Sequence, residues 1–94
     1  MHFETRITLK EVLRSQHRPG FPEPFHKVVF KIESDGIDPV EIGLWVHRCY
    51  PDDELIKVGR SFLAGRLTDM TTVASEGVYT PSEVDALWQR VKPV

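Results

Sequence analysis

One cysteine in 94 residues, Cys49, excludes an internal disulfide framework and fits a reducing compartment. Long apolar runs are also missing: the longest near the middle of the chain is Ile42 to Val46, far short of the roughly 20 residues that a membrane helix needs. The opening residues Met1 to Arg6 carry no apolar export segment. A cytoplasmic protein is the expectation. Metal chemistry lacks its spacing, since the four histidines stand at 2, 17, 26 and 47 and match no helical or knuckle pattern. The acids around Gly36, Asp35 and Asp38, lack the ligand ladder of a calcium loop, and a turn explains them. Residues 59–65 contain glycines but neither the lysine nor the preceding strand of a phosphate loop, and no Gly-x-Ser-x-Gly elbow occurs. No repeat or low-complexity tract is present. No metal or cofactor is therefore expected.

A large excess of one charge is missing as well. The formal net charge of -2 gives no overall attraction to nucleic acid, but the distribution is uneven. Residues 1–31 hold six Lys or Arg against three Glu, whereas residues 32–57 hold seven acids against Arg48 and Lys57. This pattern suits self-complementarity within the fold or between subunits better than a nucleic-acid footprint.

What the chain does contain is a hairpin. Val28, Phe30 and Ile32 alternate with charged residues; after the polar turn at 34–39, Val40, Ile42, Leu44 and Val46 alternate again. Pairing Ile32 with Val40 sets Phe30 opposite Ile42, Val28 opposite Leu44, Lys31 opposite Glu41 and Lys27 opposite Trp45. The last pair allows the ammonium to lie on the indole. The second face then carries Val29 and Trp45 around Gly43, bordered by Lys27, an apolar centre with a charged rim that resembles an interface core.

Around the hairpin, residues 2–7 alternate as a short strand. Thr8 and Glu11 have the spacing of a capping box, and Leu9, Val12 and Leu13 keep helical spacing, which predicts a turn or two of helix over 9–16. The three prolines of residues 17–26 predict an extended connector. Asp52, Asp53 and Glu54 suit a helix start. A stripe from Leu55 through Gly59, Leu63, Leu67 and Met70 to Val73 predicts a helix to about Ser75, with Gly77 as its left-handed stop and Val78 against Val73 in a Schellman closure. Gly59 within that stripe implies close approach of a neighbour. Thr80, Pro81 and Glu83 open a final helix over 81–91, expected to pack through Trp88. The architecture predicted is α+β: a single domain over residues 1–94, built on an antiparallel hairpin extended to three strands if the N-terminal strand joins, with one long and one short C-terminal helix covering it.

For function, the leading expectation is a protein-interaction or regulatory module acting as a homodimer, with Val29, Trp45, Gly43 and Lys27 at the interface. The alternative is a small-molecule binder or enzyme near Arg66, His47, Cys49 and Tyr50. Arg66 is the one polar side chain in the middle of the long helix's apolar stripe: either its stem packs and its guanidinium reaches water, or it is a paired arginine of an interface or pocket, where a desolvated guanidinium needs a carboxylate. Cys49 and His47 invite comparison with a thiol and its base, but no electropositive setting is evident. Weak nucleic-acid binding through Arg6, Lys10, Arg14 and Arg18 is a third reading. A catalytic site is not predicted.

Overall fold

The structure is a computed structural model and describes residues 4–93. It is an α+β fold: β1 (Arg6–Gln16), β2 (Phe25–Glu33) and β3 (Val40–His47) form an antiparallel sheet in the order β1-β2-β3. A 3-10 turn over Asp52–Glu54 leads into α1 (Leu55–Ala74), and α2 (Pro81–Val91) follows.

The β2–β3 register is the one the hydrophobic alternation dictates, with Ile32 opposite Val40, Phe30 opposite Ile42, Val28 opposite Leu44 and Lys27 opposite Trp45. One detail differs. Glu41 faces Lys31 in register, but the cation that hydrogen-bonds it is Lys10, reaching from β1 across the central strand. That contact raises the Lys10 pKa above its ordinary value, chiefly through the hydrogen bond to Glu41.

The helix predicted over 9–16 does not form; β1 runs as one strand from Arg6 to Gln16. His2 and Phe3, which opened the predicted strand, lie outside the described residues. The cause of the error is a β-bulge between Leu9 and Glu11, which inserts Lys10 and puts Ile7, Leu9 and Val12 opposite Ile32, Phe30 and Val28 on one face. The three-residue step from Leu9 to Val12 looks helical but is two strand steps plus the inserted residue. A second irregularity lies between Leu13 and Gln16, where Ser15 takes φ 54° and its N–H donates to His26 Nδ1 at 3.2 Å. Pairing with a buried central strand outweighed the local capping signal. The Pro-rich connector is shorter than predicted, because Phe25 and His26 already belong to β2.

The core joins Val28, Phe30, Ile32, Leu44 and Val46 of the sheet to Leu55 and Leu63 of α1. Gly59 is buried between those helical positions. A Cβ built on it would stand 2.9 Å from Val28 Cβ, so the helix rests on the central strand at the distance a glycine permits. Burial on α1 stops there: Leu67 is half-buried, whereas Met70 is 52% and Val73 67% exposed. The helix begins without a side-chain cap, so Asp52, Asp53 and Glu54 act through their charge, and Asp52 also pairs with Arg14 of β1. At its end Gly77 has φ 68°, as predicted, but closure comes from Ser75 N–H to Thr71 O and Glu76 N–H to Val73 O. Val78, expected against Val73, is 62% exposed.

The final helix has the predicted span, and its capping box is complete, with Thr80 N–H donating to Glu83 Oε1 at 3.0 Å and Glu83 N–H to Thr80 Oγ1 at 3.2 Å. Its packing does not follow the prediction. Among the described residues α2 contacts neither the sheet nor α1, and Trp88 is 51% exposed. The molecule is accordingly long, 57 × 25 × 18 Å, with a radius of gyration of 18.1 Å where a compact domain of this length has about 12 Å.

Candidate functional site: a strand-edge cleft and an open helical arm

Beside β3 the middle of α1 leaves a cleft of about 600 Å³, lined by Gly43, Leu44 and Trp45 of the strand, by Ser61, Phe62, Gly65, Arg66 and Asp69 of the helix, and by Arg18 of the connector. The sheet alternation supplies Trp45, and the helical step from Phe62 to Arg66 supplies the opposite wall. Arg66 is mostly exposed and donates to Asp69 Oδ2 at 3.2 Å, one turn away on the same helix. Arg18 lies 4.3 Å from the Phe21 ring centroid and 5.0 Å from that of Phe25, with the two rings edge-on at 5.1 Å.

Lys27 Nζ lies 4.7 Å above the Trp45 ring centroid, and its stem crosses Gly43, where a Cβ would be 2.8 Å from Lys27 Cδ. Val29 is only 7% exposed, Trp45 is half-buried and Gly43 is open. The chain's own lysine therefore roofs part of the face expected to meet a partner, and Phe25 with Phe21 covers its neighbouring end.

His47 is committed at both nitrogens. Its Nδ1 accepts the Cys49 N–H at 3.0 Å, which leaves the proton on Nε2 to donate to Glu23 Oε1 at 2.9 Å. Its ring also meets Phe25 edge-on at 5.1 Å. Such a histidine orients the turn that the Tyr50 N–H closes on His47 O, and it has no free nitrogen for the exposed Cys49 thiol. Tyr50 stacks edge-on with Phe62 at 6.1 Å, behind the cleft wall. Arg66 thus joins Trp45 and Gly43 in one cleft, while His47, Cys49 and Tyr50 gather at the strand end.

Compared with known proteins, the chain matches no family, no curated protein and no solved structure. Function must be argued from chemistry alone.

Of the basic residues considered for nucleic acid, Arg6 pairs with Glu4, Lys10 with Glu41 and Arg14 with Asp52, while Arg18 rests on phenylalanine rings. Two cations of the basic first third, Lys10 and Arg14, thus pair with acids of the acidic centre, whereas Arg6 pairs within its own segment. Among the described residues no group of three or more His, Cys, Asp or Glu side chains could hold a metal, and no helix is long and apolar enough to cross a membrane.

A further unexplained surface is the arm formed by the second half of α1 and by α2. Eight large apolar side chains between Met70 and Val91 keep 41–67% of their surface exposed: Met70, Val73, Val78, Tyr79, Val84, Leu87, Trp88 and Val91. The α2 stripe is legible from its spacing, which predicts packing through Trp88, but the stripe is exposed. The Arg66–Asp69 pair was missed, although a three-residue acid–base step on a helix is a readable signal.

Proposed function

We propose that this protein is an interaction module that works as a homodimer, with the sheet and the first half of α1 as its folded base and the arm as its contact surface. One observation carries the reading: an amphipathic helix with a complete capping box that, among the described residues, touches no other helix or strand. An isolated helix of 11 residues is marginal in water, because so short a helix gains too little to offset nucleation. Its cap is built as carefully as that of a packed helix, and its apolar stripe is exposed. Exposed apolar surface on that scale marks an association site, and a two-fold dimer is the commonest form of association.

The test is molecular mass in solution by sedimentation equilibrium across micromolar to millimolar concentration. The expected result is a reversible dimer of twice the 10.8 kDa chain mass. A monomer throughout that range refutes the reading.

A further inference from the structure

The charges that flank the α2 stripe identify what the stripe meets. Val84, Leu87, Trp88 and Val91 form the apolar face. At about 100° per residue, Glu83 and Arg90 lie on one flank of that face and Asp85 and Lys92 on the other. Each flank therefore carries an acid near the helix start and a base near its end.

We infer that α2 pairs with the α2 of a second copy of this chain, antiparallel, about a two-fold axis passing between Leu87 and Trp88. This rests on the homodimer reading and specifies its interface. A two-fold perpendicular to the helices keeps each flank facing its own copy with the direction reversed. Glu83 then meets the partner's Arg90, and Asp85 meets the partner's Lys92, each pair level to within about 3 Å along the axis, or two helical residues. Along the centre Val84 meets the partner's Val91 at both ends. Leu87 meets the partner's Leu87 on one side of the axis, and Trp88 meets the partner's Trp88 on the other. Every apolar position finds an apolar one and every acid finds a base. The helix dipoles also oppose, which favours this direction.

Parallel pairing opposes like charges. With the two-fold along the helices, each flank would face the opposite flank of its copy, bringing Glu83 to the partner's Asp85 and Arg90 to the partner's Lys92. Like charges would meet at both ends. A chemically unrelated partner would need no such internal reversal of charge.

The experiment uses the full chain. Leu87→Glu places a charge on the two-fold axis and should convert the dimer to a monomer while leaving the melting of the base unchanged, since α2 makes no contact with it. Asp85→Lys and Lys92→Glu should each weaken self-association by roughly 5- to 30-fold, the effect of turning two exposed ion pairs repulsive. An equimolar mixture of these two variants should recover wild-type affinity as a heterodimer. For direction, in a Cys49→Ser background, Val84→Cys mixed with Val91→Cys should oxidise to a mixed disulfide. A wild-type dimer that persists in Leu87→Glu overturns the α2 interface but leaves the homodimer reading standing. Preferential self-crosslinking of Val84→Cys overturns the antiparallel direction, and a wild-type protein that is monomeric at all concentrations overturns both readings.

Discussion

Gly59 offers the sharpest check on how the helix is seated. Replacing it with alanine adds a Cβ that would lie 2.9 Å from Val28 Cβ and 3.1 Å from both Val28 methyl carbons. Val28 is fully buried in the central strand, paired on both sides, so it cannot swing aside as a long flexible side chain would. Overpacking of this kind costs about 1–3 kcal/mol. Against it stands the gain in helix propensity of about 0.8–1.0 kcal/mol for Gly→Ala. With a stem carbon at so short a distance the upper half of the range applies, and Gly59→Ala should destabilise by about 1–2 kcal/mol. In a domain of this size that lowers the melting temperature by roughly 5–15 °C. Gly65 is the internal control, because it lies in the same helix and a Cβ there meets nothing within 4 Å. Gly65→Ala should therefore raise the melting temperature by a few degrees. The assay is thermal unfolding followed by circular dichroism, with Val28→Ala added to complete the cycle. The double change at 28 and 59 should be less damaging than the sum of its parts by at least about 1 kcal/mol, since the two share one contact. If Gly59→Ala melts at or above the wild type, the close seating of α1 on β2 is wrong.

Three further outcomes follow from the described contacts. Gly43→Ala should fold normally but lift Lys27 from Trp45, because the obstructing atom is a mobile Lys27 Cδ 2.8 Å away; Trp45 fluorescence in a Trp88→Phe background reports the change. Folding holds the Glu83 carboxyl below its ordinary value of 4.5 through its bonds to the Thr80 backbone and side chain, so its stabilisation of α2 is present above the ordinary glutamate pKa and is lost as pH falls through the lowered one. Helical circular dichroism should record that loss below about pH 4, and a Glu83→Gln chain should lack this titration. Cys49→Ser should leave stability and mass in solution within error, because the thiol is exposed and its neighbouring histidine is already hydrogen-bonded at both nitrogens; a shift in either would assign the thiol a role.

Where one physical rule dominates, the sequence reads true. The hairpin register follows because every alternate residue has one face to choose, and α2 follows because Thr80, Pro81 and Glu83 state its start in backbone chemistry. The N-terminal strand was obscured by Lys10, whose insertion shifts the apolar spacing from strand-like to helix-like within four residues. Arg14 and Lys10 find acids 38 and 31 residues away, partnerships that no local pattern encodes. The cleft was half legible: Trp45 and Arg66 were singled out separately, but their proximity depends on where α1 crosses β3. Trp88 misled for a different reason. An apolar stripe announces that a helix must be covered, and it is silent on which chain does the covering.

The independence of α2 from the base also bears on how this protein can change over generations. A substitution in the sheet or at Gly59 is tested twice, once for folding and once for whatever the molecule does. A substitution on the outer face of α2 disturbs no core contact, so under the homodimer proposal selection would see it only through association. Affinity, pairing direction and even the choice of companion can therefore drift or be replaced by altering a handful of positions around Leu87, with the marginal stability of a small domain left untouched. In the proposed pairing, a charge reversal at Asp85 in one of two duplicated copies would turn one of the two 85–92 pairs of the mixed dimer repulsive, and a matching reversal at Lys92 in the other copy would restore it.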